Sequence, residues 1–268
     1  MQDYWTRQTP GNPLYPDMLW SRPENKLQAG KLLIVGGNSQ GFAAAGEAYN
    51  LAGLAGVGTA RVLLPVALQK TVGRIFEVGE YAASTPSGSF GKAALAEYLD
   101  MSLWADGVLL AGDLGRNSET AILLESYLDK YKGQVTLTRD AVNYFGELPT
   151  VVLTRPNTLL VLSMSQLQKL GVSSRFTMAF TLGMDLLRLL ENLHEFTKRY
   201  EVSIITKHHD TIIVAVNGQI STTKLATDLK IWRLRVATHA SVWWLQNPKK
   251  SFEAFTTAVL EAATLPIL

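Results

Sequence analysis

Five consecutive residues, Lys207-His208-His209-Asp210-Thr211, concentrate reactive side chains more than any other stretch of the chain, and two of its four histidines stand here. Three readings of the run are open. Paired imidazoles can hold a metal, a carboxylate can orient an imidazole base, or the run can be a surface turn. Neighbouring strand residues point to opposite faces, so the two rings converge on one ion only if the turn breaks that alternation. No HxxxH or Glu-x-x-His pattern supplies further ligands, and the sequence predicts no metal site. Asp210 suits the local backbone bonding of a turn. Lys207 can neutralise a phosphate or close a strand in solvent.

Other candidates lie upstream. Gly36-Gly37-Asn38-Ser39-Gln40-Gly41 follows an apolar run and reads as a ligand-facing turn. It lacks the Gly-Lys-Ser/Thr ending of a phosphate loop and the full GxGxxG spacing. Arg116 beside Gly115 can meet an anion or cap a helix. Asp140 can contact substrate or magnesium, or serve as a helix cap or turn residue. Lys224, Lys230, Arg233 and Arg235 give a late segment a basic character, which reads first as a solvated face.

The chain around these residues has 268 positions, 47% hydrophobic and 18% charged, with a net charge of +2. That balance describes a compact globular protein and argues against one built to hold a nucleic-acid backbone. With no cysteine, disulfides, thiolate catalysis and Cys-based metal sites are excluded. No apolar stretch is long enough to span a membrane. The first twenty residues lack the basic region and apolar run of a signal peptide, so a cytoplasmic protein is expected.

Residues 1–30 carry Pro10, Pro13, Pro16 and Pro23, which predict an extended arm rather than a helix. Trp5, Tyr15 and Trp20 suggest that it packs on the body. Lys31–Gly37 is a short apolar run ending in glycines, the pattern of a buried strand and tight turn. A small-residue helix over Gly41–Gly58 and a strand over Thr59–Pro65 complete a β-α-β unit, which implies a parallel sheet. Further strands are predicted at 107–112, 134–138, 158–163, 202–207 and 211–222, the last turning at Asn217-Gly218. Helices are predicted over about 91–103, from Ser118 as N-cap, at 166–171 ending on Gly171, over 176–200, and through most of the final 45 residues with a break at Asn247-Pro248. Trp243 and Trp244 read as core or subunit interface. The expected architecture is a single α/β domain with helices on both faces of a largely parallel sheet.

The segment from Gly30 to Val62 resembles the ribokinase-like superfamily, and within it the ADP/ATP-dependent NAD(P)H-hydrate dehydratases. That family opens with a strand, Gly-Ser-x-x-Tyr-x-Gly-Ala and a helix ending Ala-Gly-x-Gly. Ser39 stands at the serine, Phe42 at the tyrosine, Ala44 at the glycine and Ala45 at the alanine, while Ala55, Gly56 and Gly58 match the helix end. Ala-Gly-Asp-Leu-Gly-Arg at 111–116 occupies the place of Gly-Pro-Gly-Leu-Gly-Arg, with Asp113 replacing a glycine. Thr138–Asn143 stands for Asp-Ala-Asp-Ala-Leu-Asn, keeping Asp140, Ala141 and Asn143. The likeness runs in order from about residue 25 to 262.

The resemblance implies a three-layer ribokinase-like fold, and ATP or ADP with Mg2+ as cofactor. It puts Asn38, Ser39, Phe42, Ala45, Asp113, Gly115, Arg116 and Asn143 at the substrate, and Lys207, His208, His209, Asp210, Thr211 and Arg233 at the nucleotide. Two departures stand out. The family's Lys-Gly-Ala-Gly-Thr turn has become Lys207–Thr211 with its three small residues lost. Its Gly-Ser-Gly-Asp signature, an amide anion hole with a catalytic Asp, aligns with Ile231-Trp232-Arg233-Leu234. Leu225, Leu229, Trp232, Val236 and Trp243 follow helical steps, predicting a helix that runs through the place of the anion hole. No catalytic residue stands at the family position; Asp140, Asp210 and Asp228 are the carboxylates that could substitute. A nucleotide-binding pseudoenzyme, an active dehydratase or kinase with a relocated base, and a ligand-free structural subunit all remain open. No nucleic-acid or membrane partner is expected, and self-association is the fold's prior.

Overall fold

The computed structural model describes residues 3–73, 78–146, 149–225 and 232–264. Among these, ten strands form one sheet: β1 (Trp5–Gln8), β2 (Lys31–Gly36), β3 (Thr59–Pro65), β4 (Gly79–Ala82), β5 (Gly107–Gly112), β6 (Gln134–Thr138), β7 (Thr158–Leu162), β8 (Val202–His208), β9 (Thr211–Val216) and β10 (Gln219–Lys224). The helices are α1 (Pro16–Trp20), α2 (Ala43–Leu54), α3 (Gln69–Val72), α4 (Leu95–Trp104), α5 (Ser118–Lys130), α6 (Thr150–Leu153), α7 (Met164–Ser173), α8 (Leu186–Arg199), α9 (Trp232–Gln246) and α10 (Ser251–Thr264).

The strand order is β1-β10-β9-β8-β7-β6-β5-β2-β3-β4. From β8 through β4 every neighbour pair is parallel, whereas β9 is antiparallel to both β8 and β10. The central strands are buried at nearly every position because both faces are covered. Alternate residues divide between two cores. Leu32, Ile34, Leu109 and Val161 join the layer of α2, α9 and α10, while Leu33, Val35, Leu110 and Leu160 join that of α4, α5, α7 and α8. The chain moves one way from β2 to β3 and the other way from β5 to β7. Between β2 and β5 the order therefore reverses, and the carboxyl ends of these strands open a crevice at that switch point.

Several sequence expectations need correction. The N-terminal arm supplies a strand, since β1 pairs in parallel with β10 from Trp5↔Ile220 to Gln8↔Thr223. It also contains α1, where Pro16 sits at the helix start and loses no hydrogen bond there. Trp20 is not packed on the body: it is 88% exposed. Asn117, not Ser118, caps α5, accepting from the Glu119 amide at 2.8 Å. Gly171 lies inside α7, which ends at Ser173, and residues 176–185 are not helical; α8 starts at Leu186, capped by Asp185. The late helix does not reach back to Leu225, whose amide donates to the Asp210 carbonyl at 2.7 Å beyond the end of β10. Helix α9 starts at Trp232, and Asp228 and Leu229 lie outside the described residues.

Candidate functional site

The crevice at the switch point depends on close backbone contact. The Gly37 amide donates to the Gly112 carbonyl at 3.1 Å. Gly112 has φ +108°, and a Cβ there would lie 2.7 Å from Asp140 Oδ1 and 2.9 Å from Arg139 Cβ. Glycine is thus required at the end of β5 by both conformation and space. The following residue, Asp113, is also left-handed, at φ 56°. Aspartate tolerates this geometry better than most residues, which is how it can stand where the resembling family has glycine.

Asp113 is used twice. Its Oδ2 accepts the Ala44 amide in the first turn of α2 at 2.9 Å, and its Oδ1 pairs with Arg139 at 2.7 Å. Its carbonyl accepts Asn38 Nδ2 at 2.6 Å, tying the β2 and β5 turns together. Asp140, on the short 3-10 helix Arg139–Phe145 that follows β6, accepts the Leu114 and Gly115 amides with Oδ2 at 2.9 and 3.2 Å. Its Oδ1 is buried and has no partner in the structure. Burial raises the Asp140 carboxyl above its ordinary value, and the Asp113 charge adds to this, against the lowering effect of the backbone amides.

A third element completes the wall. Helix α7 begins with a capping box in which Ser163 and Gln166 satisfy each other's backbone amides. Gln166 Nε2 also donates to the Arg139 carbonyl at 2.6 Å and to Asn143 Oδ1 at 2.9 Å, while its Oε1 accepts Arg233 Nη1 at 2.9 Å. Asp113, Arg139, Asp140, Asn143, Gln166, Trp232, Arg233 and Leu234 enclose a cleft of about 610 Å³. A second, of about 740 Å³, shares Asp140 and Asn143 with it and is walled by Gln40, Gly115, Arg116, Asn117, Tyr144 and Lys169.

The structure therefore gathers Asp113, Gly115, Arg116, Asp140, Asn143 and Arg233 at one place. Ser39 is committed elsewhere, its hydroxyl donating to the Ser87 carbonyl at 2.8 Å. Phe42 and Ala45 line a separate apolar niche of about 180 Å³ with Leu64 and Val72. The Lys207–Thr211 run lines neither cleft. It forms the tight β8–β9 connection, with His208 paired to Thr211 and His209 at φ 51°. His208 Nε2 bonds the Met184 carbonyl at 2.9 Å, Asp210 accepts from Thr211 Oγ1 at 3.0 Å, and Lys224 lies 3.4 Å from Asp210. The two rings meet edge to face, 4.3 Å apart, and among the described residues no group of three potential metal ligands occurs.

The expected solvated basic face holds for the exposed Lys224 and is corrected for the two arginines, while Lys230 lies outside the described residues. Arg235 is buried, and Arg233 points into the cleft, where burial and the neighbouring Arg139 lower its pKa. Leu234 is 1% exposed and belongs to the core between sheet and helices. Sequence reasoning missed Arg139, Gln166, Tyr144 and Lys169 as wall residues. For Gln166 the signal was present: Ser-x-x-Gln directly after a strand marks a helix start at its carboxyl end.

Sheet order, switch-point crevice and two-sided helix cover define the class of this protein: it has a ribokinase-like α/β fold. It is similar to a ribokinase-like superfamily protein from Enterococcus faecalis, with a TM-score of 0.70, 15% identity, and coverage of 96% of this chain and 86% of that one. An ADP/ATP-dependent NAD(P)H-hydrate dehydratase from Bacillus subtilis, co-crystallized with ATP/Mg2+, gives 0.62 at 12% identity over 94% and 87%. A phosphomethylpyrimidine kinase from Clostridium difficile gives 0.53 at 9% identity over 85% and 96%. At these identities the likeness is one of fold. No protein-family model matches the sequence, and no curated protein matches it. Among the described residues no helix is long and apolar enough to cross a membrane.

Proposed function

We propose that this chain binds an adenine or nicotinamide nucleotide in the switch-point cleft and does not carry out phosphoryl transfer or dehydration by the route its resemblance implies. The observation that carries this reading is Leu234. At the position that aligns with the family's base stands a side chain that accepts no proton and is packed in the core at the edge of the cleft. Trp232 and Arg233 precede it on the cleft wall, in place of small residues that would let a phosphate approach backbone amides. The crevice itself keeps the place where open α/β sheets receive ligands. Calorimetric titration with ATP, ADP, NADH and hydrated NADH, beside a dehydration assay with ATP or ADP, tests the proposal. Binding without turnover is expected. Turnover at an enzyme-like rate overturns it, and silence toward every nucleotide moves the assignment to a structural or regulatory subunit.

Asp140 supports a second reading, an active dehydratase or small-molecule kinase with a relocated base. Its Oδ1 has no hydrogen-bond partner, and its raised pKa makes the ionised carboxylate a stronger base than a free aspartate. On this reading the Asp140 carboxyl, which lines both clefts, takes the proton of a ligand hydroxyl. On this reading D140N abolishes turnover and leaves nucleotide binding within a few-fold of wild type.

A further inference from the structure

The cleft holds a charge pattern that the nucleotide reading alone leaves unexplained. Arg233 donates to the neutral oxygen of Gln166 and, among the described residues, has no carboxylate partner. Burial, and after it the charge of Arg139, lower the pKa of Arg233, against the raising effect of the Asp140 carboxylate. Arg139, by contrast, is neutralised by Asp113 at 2.7 Å. The other oxygen of that carboxylate takes the Ala44 amide of the α2 first turn. A guanidinium and the amides of a helix start are groups that hold phosphate, and here a tethered carboxylate engages one of each.

Gln166 makes the arrangement rigid. Its amide nitrogen holds the Arg139 backbone and Asn143, its oxygen holds the Arg233 side chain, and the α7 capping box holds Gln166 itself. Two arginines separated by 94 positions in sequence are thus referenced to one side chain, each on the wall of the same cleft. The Arg233 guanidinium, fixed in this way, loses little rotamer freedom when an oxyanion arrives, while Gln166 holds the Arg139 backbone in place.

We propose that the cleft receives a phosphate group between the Arg139 and Arg233 side chains, and that Asp113 is a built-in competitor which the phosphate displaces from Arg139. The proposal rests on the nucleotide reading for the location of the site, and deepens it by assigning phosphate recognition to side-chain guanidinium groups.

The test uses the full chain and inorganic phosphate and pyrophosphate as probes, titrated by calorimetry without nucleotide. D113N keeps an acceptor for the Ala44 amide but removes the competing charge, and binds phosphate about tenfold more tightly than wild type. R233Q and R139Q each bind about tenfold more weakly. Thermal melts establish that each variant is folded, and D113S takes the place of D113N if that variant is not. Unchanged or weaker phosphate binding on removal of the Asp113 charge overturns the proposal. So does unchanged binding in R233Q, or failure of both wild type and the Asp113 variant to bind phosphate. Repeating the series with ATP separates the two readings. ATP binding insensitive to all three positions overturns the clamp and leaves the nucleotide reading standing. The expected phosphate pattern without binding of ATP, ADP, NADH or hydrated NADH upholds the clamp and overturns the nucleotide reading.

Discussion

Replacing Leu234 with aspartate puts a carboxylate where the resembling family carries its base, and the structure states what that substitution costs. Leu234 is 1% exposed, lies in the first turn of α9 and packs into the core shared by α2, α9 and α10. Truncating a buried leucine to alanine costs about 2–5 kcal/mol, the spread depending on how far the surroundings collapse. Aspartate removes most of the same apolar volume and adds a carboxylate that must be desolvated. The first turn of a helix returns about 0.3–1 kcal/mol to an acidic group, too little to offset the loss. L234D is therefore expected to be about 3–5 kcal/mol less stable than wild type at neutral pH, out of the roughly 5–15 kcal/mol typical of native proteins. L234N, of similar shape but uncharged, separates lost packing from buried charge. Urea unfolding followed by circular dichroism measures both, with nucleotide binding and turnover assayed on the same preparations. Stability of L234D within about 1 kcal/mol of wild type would refute the reasoning, because it would show that position 234 faces water and that the fold tolerates a base there. Appearance of turnover in L234D would mean that a single side chain separates this cleft from a working one.

Two further outcomes follow from carboxylates held in different ways. D140A leaves the Leu114 and Gly115 amides without their acceptor and should cost about 2 kcal/mol, whereas D140N retains an acceptor and should stay within about 1 kcal/mol in the same urea assay. The folded-state pKa of Asp140 is raised, so its contribution favours the folded state most below the unfolded value and declines as pH rises through the folded one; D140N removes that decline. Glu261 has the opposite sign. Burial opposes its ionisation, but hydrogen bonds from His239 at 2.9 Å and Trp243 at 2.7 Å, with the charge of Arg22 beside them, hold the carboxyl below its ordinary value. Its stabilisation is present above the unfolded pKa and is lost as pH falls through the folded one, so E261Q should flatten the acid limb of a stability–pH profile read by tryptophan fluorescence.

What could be read from the sequence divides along the range of the interactions involved. β2, β5 and β7 are nearly continuous apolar runs because both of their faces are covered, and such runs announce themselves locally. β1 does not: four residues among prolines become a strand only because Ile220–Thr223, more than 200 positions away, offer an open edge. The false start of α8 has a different origin. Phe176 and Phe180 keep the apolar rhythm of a helix and both meet Phe196 edge to face, yet the segment is irregular and the helix begins only after its Asp185 cap. In the cleft, Asp113, Asp140 and Asn143 were legible because they fall in segments that resemble the family's motifs, and these segments lie after β5 and β6. The pairing of Arg139 with Arg233 was not, because strand order and the Gln166 amide bring them together and no local pattern encodes either.

The two departures from the family pattern then have one physical consequence. In the Lys207–Thr211 turn, glycine would adopt left-handed geometry at no steric cost and expose its amide, whereas His209 holds φ 51° with a side chain attached. His208 and Asp210 spend their polar atoms on Met184, Thr211 and Lys224. At 232–234, bulky side chains line the cleft where small residues would admit a phosphate to the backbone. On the proposed reading both departures remove backbone donors, and neither removes positive charge from the crevice. Arg139 and Arg233 now project guanidinium groups toward the same space, with Asp113 balancing the first. Recognition by amides demands small residues and an open helix start, while recognition by arginine tolerates large neighbours because its donors stand clear of the backbone. A cleft rebuilt on side chains can keep an anion without keeping the geometry that transfers one.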